Sequence, residues 1–87
     1  MNLDEDSSAD SFFSDLIAAV EQQLNSPATP YVKQTYERLI KAGVSEDEAK
    51  EMIAECLAEE SDAMFRGKRE FDEKSYRLLL GSINPEG

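Results

Sequence analysis

Apolar and polar positions follow a helical rhythm from Ser11 onward. Phe13, Leu16, Ile17, Val20 and Leu24 fall at three- and four-residue spacings, with Phe12 at the edge of that face. Ser14, Asp15, Glu21, Gln22 and Asn25 fall on the other side. The pattern predicts an amphipathic helix of about 14 residues, started by Asp10 or Ser11 and ended by Asn25-Ser26-Pro27. A second helix is predicted from Pro30 to Ala42, with Thr29 as N-cap, Gly43 as the residue just past the end, and Val32, Tyr36, Leu39 and Ile40 facing inward. Ser45-Glu46-Asp47-Glu48 is a capping box, in which a hydroxyl and a carboxylate three residues on each satisfy a free backbone N–H. It opens a third helix running to about Phe65, with Ala49, Met52, Ile53, Cys56, Leu57, Ala63 and Met64 on its apolar stripe. After the breaker Gly67, Asp72 is the expected N-cap of a short fourth helix that turns Tyr76, Leu79 and Leu80 to one side and stops at Gly81. Ile83 is expected to pack back against it.

No stretch alternates with period two, so no strand is expected. The predicted fold is all-α, a small four-helix array of three main amphipathic helices and a short C-terminal one, with no sheet. The chain of 87 residues leaves room for one domain. Its expected organisation is a disordered acidic tail at 1–9, a helical domain at 10–83 and a frayed tail at 84–87.

Charge changes the picture more than composition does. Nineteen Asp and Glu stand against nine Lys and Arg, a net charge of −10, with no histidine and one cysteine. Histidine-based acid–base chemistry and zinc sites built on histidine are thereby excluded within the chain. So are an internal disulfide and a thiolate cage. No cofactor and no enzymatic activity are expected. The surplus of negative charge disfavours nucleic-acid phosphates and anionic membranes, and favours a basic protein partner. The acidic, polar start Asn2-Leu3-Asp4-Glu5-Asp6 is unlike a signal peptide, so a cytoplasmic location is expected.

The turn Gly43-Val44-Ser45 looks like that of a helix-turn-helix, but the recognition helix would open on Glu46-Asp47-Glu48, which phosphates would repel. A plain helical hairpin is the better reading. Glu48, Glu51, Glu55 and Glu59, with Asp62, line one face of the third helix. Such a stripe could hold a divalent ion, but a solvated polar face is the favoured reading. Glu60 stands apart. It falls among the apolar positions between Cys56 and Met64, so it needs a partner or an edge position. Arg66, Arg69, Arg77 or a tyrosine hydroxyl could supply that partner. Arg66, Lys68 and Arg69 form a small basic turn suited to an anion or an acidic surface. Cys56, on an apolar face with no base near it in sequence, reads as an inert buried thiol.

The segments Ala19-Val20-Glu21-Gln22-Gln23-Leu24, Tyr36-Glu37-Arg38-Leu39-Ile40 and Ile53-Ala54-Glu55-Cys56-Leu57 carry a resemblance. Over about residues 12–66 the chain resembles the C-terminal half of a bacterial helical family of unknown function. The resemblance implies a helical fold and a bacterial origin, and no activity. The two His-x-x-x-His pairs of that family would fall at Phe13 and Ile17 and at Asp47 and Glu51, none of which is histidine.

The expectation is a non-enzymatic protein-interaction module. The alternatives are a structural homodimer whose partner chain completes a thin core and, less favoured, a carboxylate-based divalent-metal binder.

Overall fold

Backbone chemistry at the helix ends sets the layout. In the computed structural model, which describes residues 3–67 and 69–85 (side chains within 3–11 excepted), the elements are α1 (Leu3–Leu24), α2 (Pro30–Lys41), α3 (Glu46–Gly67) and α4 (Glu73–Gly81). The described residues contain no strand. The all-α four-helix array is therefore the fold.

The α2–α3 corner closes as the sequence implies. Gly43 takes φ +98°, its N–H donates to the Ile40 carbonyl at 3.0 Å, and the Val44 N–H donates to the Leu39 carbonyl at 3.0 Å. These two bonds form a Schellman cap, which needs a left-handed residue at the glycine. Ser45 Oγ then accepts from the Glu48 N–H at 3.2 Å, forming the hydroxyl half of the capping box. Nothing lies within 4 Å of a Cβ added at Gly43, so replacement there costs backbone strain alone. Gly43→Ala is expected to lower the unfolding free energy by about 1 kcal/mol. Gly81→Ala, inside α4 and equally uncrowded, should leave stability unchanged or raise it. Urea denaturation of the two variants checks the opposite signs.

Three local expectations change. First, α1 begins at Leu3, so most of the expected 1–9 tail is helical backbone, and Asp10 and Ser11 lie inside the helix rather than at its cap. No proline or glycine interrupts residues 3–24. Met1, Asn2, Glu86 and Gly87, the rest of the expected tails, lie outside the described residues. Second, Thr29 occupies the N-cap of α2, yet its hydroxyl makes no cap bond. It donates instead to the Gln23 carbonyl at 2.9 Å, satisfying an end group of α1 across the proline connector. Third, α3 runs on to Gly67 rather than ending near Phe65.

The α2 and α3 helices form a central pair. Each packs against the other and against both α1 and α4, whereas among the described residues α1 and α4 make no close backbone approach. The core is built from Leu16 and Val20 of α1, Val32 and Leu39 of α2, Ala49, Ile53, Ala54, Cys56 and Leu57 of α3, and Tyr76 and Leu80 of α4. Ile83 packs against it as expected. Two inward assignments fail. Phe13 and Ile40 are exposed, and Thr35 takes a buried place on α2. Threonine is tolerated there because its hydroxyl donates to the Tyr31 carbonyl at 2.8 Å within the helix.

Candidate functional site

Glu60 is the one fully buried carboxylate among the described residues. The rhythm of α3 places it inward, and the chain reversal after Gly67 brings Arg69 over it. Arg69 donates from Nη1 to Oε2 at 2.7 Å and from Nη2 to Oε1 at 3.2 Å, a two-pronged ion pair. The Asp72 backbone N–H adds a bond to Oε2 at 2.9 Å. These donors outweigh burial and hold the Glu60 carboxyl well below the ordinary 4.5, at about 2, with the Arg69 bond the largest cause. Asp72 in turn caps α4, its carboxylate accepting from the N–H groups of Lys74 and Ser75 at 3.0 and 3.3 Å. The cluster thus fastens the start of α4 to α3. Both oxygens of Glu60 thus accept bonds from groups of the same chain.

The other sequence candidates scatter. Arg66 pairs with Asp62 of its own helix at 2.9 Å, on the surface. Lys68 lies outside the described residues. Glu48, Glu51, Glu55 and Glu59 are all exposed along α3, and no three potential metal ligands gather anywhere among the described residues. Lys50 reaches across to Glu21 at 3.2 Å, tying α3 to α1.

Cys56 is buried. Burial first, and then the nearby Glu59 and Glu55, push its thiol up to about 11. At neutral pH it stays protonated, so labelling with a thiol reagent should be slow in buffer and fast in denaturant. Labelling at equal rates in both would show that α3 does not shield it.

Two anchors were not anticipated. Arg38 of α2 donates to the Leu80 and Ile83 carbonyls at 3.0 and 3.3 Å, satisfying one end carbonyl of α4 and one just beyond the helix. Tyr76 donates its hydroxyl to Gln23 Oε1 at 2.8 Å, joining α4 to α1.

Several large apolar side chains are exposed as well. Phe65 is 84% exposed, Leu78 71%, Phe12 59% and Phe13 38%. Phe65 borders a shallow groove with Ser61, Met64 and Arg69, and Leu78 borders another with Glu73, Lys74 and Arg77. Part of this was readable. In Leu78-Leu79-Leu80 three successive helical positions cannot all face inward. No described helix is long and apolar enough to cross a membrane. Comparison with protein-family models, with curated proteins and with solved structures returned no match, so the reading of this surface rests on the chain's own residues.

Proposed function

We propose that the protein is a small non-enzymatic protein-interaction module. The supporting observation is the exposure of Phe65, Leu78 and Phe12 on a chain whose buried side-chain polar atoms, among the described residues, all have hydrogen-bond partners. Isolated exposed apolar residues are ordinary, but three large ones mostly in water on so small a domain mark contact surfaces. The surplus of ten negative charges favours a basic partner over nucleic acid or an anionic membrane. A cytoplasmic location fits this reading, since the lone thiol would stay reduced there.

The test is capture of partners by the tagged chain, compared with a Phe12→Ser/Phe65→Ser/Leu78→Ser variant that retains its helical circular dichroism. A protein held at low salt, released at high salt and lost by the variant is the expected result. Recovery of nothing at low salt would count decisively against the proposal.

A homodimer is the second reading, since another copy could cover the same side chains. Sedimentation equilibrium at micromolar concentration separates the two. A monomer supports the module, and a stable dimer supports the structural role.

A further inference from the structure

Three of the helices close on one another without the fourth. Among the described residues, α1, α2 and α3 pack in all three pairs, while α4 approaches α2 and α3. The buried apolar residues of the core come from α1, α2 and α3, except Tyr76 and Leu80. The connector 69–72, which leads into α4, carries no buried residue. A swing of the chain there leaves the packing of the first three helices in place.

Much of the hold on α4 is polar. The Asp72 N–H donates to Glu60 at 2.9 Å, Arg38 donates to the Leu80 and Ile83 carbonyls at 3.0 and 3.3 Å, and the Tyr76 hydroxyl donates to Gln23 at 2.8 Å. Water can take over each of these bonds, so breaking them costs far less than their gross strength. Tyr76 also neighbours the chain's one thiol within the core. Burial first, and then the charge that Cys56 would carry, raise the Tyr76 hydroxyl above its ordinary value, so the two side chains lie close together.

We propose that α4 is a detachable strap, which lifts as one unit while α1, α2 and α3 stay packed and uncovers the seat of Tyr76. That seat holds an aromatic ring in Tyr31, a hydrogen-bond acceptor in Gln23 Oε1, and the Cys56 thiol. Lifting takes Arg69 and the Asp72 N–H away from the Glu60 carboxylate and lets water replace them, so it does not strand a buried charge. The lifted state therefore costs less than unfolding the whole chain and is visited more often.

Cys56, the one cysteine, reports the lifting through its rate of reaction with a thiol reagent in urea too dilute to unfold the chain. Arg38→Ala frees the far end of α4, and Asp72→Ala removes its N-cap. Each should speed labelling at least about fivefold. Gly43→Ala weakens the α2–α3 corner, which the closed and lifted states share. It should lower the urea midpoint of the helical circular dichroism and leave the labelling rate unchanged. Tyr76→Phe, which removes the Gln23 bond and keeps the ring, replaces either anchor variant that loses its helical signal in buffer. Equal acceleration by Gly43→Ala would show that the thiol is reached only through unfolding of the whole chain, and would overturn the proposal. Failure of a folded anchor variant to speed labelling would overturn it as well.

Discussion

Replacing Arg69 by alanine should be among the most damaging single changes in the molecule, worse than replacing its partner. The asymmetry follows from burial. Glu60 is wholly enclosed, whereas about a third of the Arg69 side chain still meets water. Losing Arg69 strands a buried carboxylate, and an uncompensated buried charge costs about 3–5 kcal/mol. A domain of this length has about 4–13 kcal/mol in all, so the variant would approach unfolding. Losing Glu60 instead leaves a guanidinium that can turn outward, although the Asp72 N–H then lacks its acceptor. Glu60→Gln keeps the shape and one carbonyl acceptor, and should cost about 1–2 kcal/mol. Urea denaturation should give the order Arg69→Ala, then Glu60→Ala, then Glu60→Gln. The reverse order would show that Glu60 is not enclosed.

The same pair carries an acid signature. The folded-state pKa of Glu60 lies near 2, below its ordinary 4.5, so the unfolded chain takes up the proton first. Its contribution is whole above about pH 5 and drains away as pH falls toward 2. The stability gap between the natural chain and Glu60→Gln should therefore narrow over that window. A gap of constant size from neutral pH to pH 2 would contradict the ion pair.

Tyr76→Ala should be comparably severe. The ring is fully buried, meeting Phe71 edge-on at 5.5 Å and Tyr31 at 6.1 Å between centroids. Its hydroxyl carries the direct link from α4 to α1. Removing a buried aromatic ring costs about 3–5 kcal/mol, whereas Tyr76→Phe, which loses one hydrogen bond, should cost about 1 kcal/mol. Thermal unfolding of both variants measures the ratio. Equal effects would place the whole value in the hydroxyl and none in the packing.

Local chemistry was legible in the chain. Gly43, Ser45 and Asp72 announce their caps, because each solves a backbone problem within a few residues of itself. Glu60 announced its need for a partner, because a carboxylate inside an apolar stripe demands one. Which of four candidates would answer depended on how the chain turns after Gly67, and no spacing rule encodes that. Phe13 and Ile40 show the other limit. Periodicity tells which residues share a face, but not whether another helix covers that stretch of it. The start of α1 was misplaced for a related reason: acidic, polar sequence reads as a tail, yet nothing in residues 3–11 breaks a helix. The free surface at Phe65 and Leu78 was only half visible, since being left over from the core is a property of the assembled bundle.

The nine residues of α4 are too few to persist as a helix in isolation. They are held at one end by Glu60 through Asp72 and at the other by Arg38 through Leu80 and Ile83. A segment pinned at both extremities cannot peel away a turn at a time. Its amide hydrogens should exchange with solvent deuterium as a single cooperative group, released when both anchors let go together.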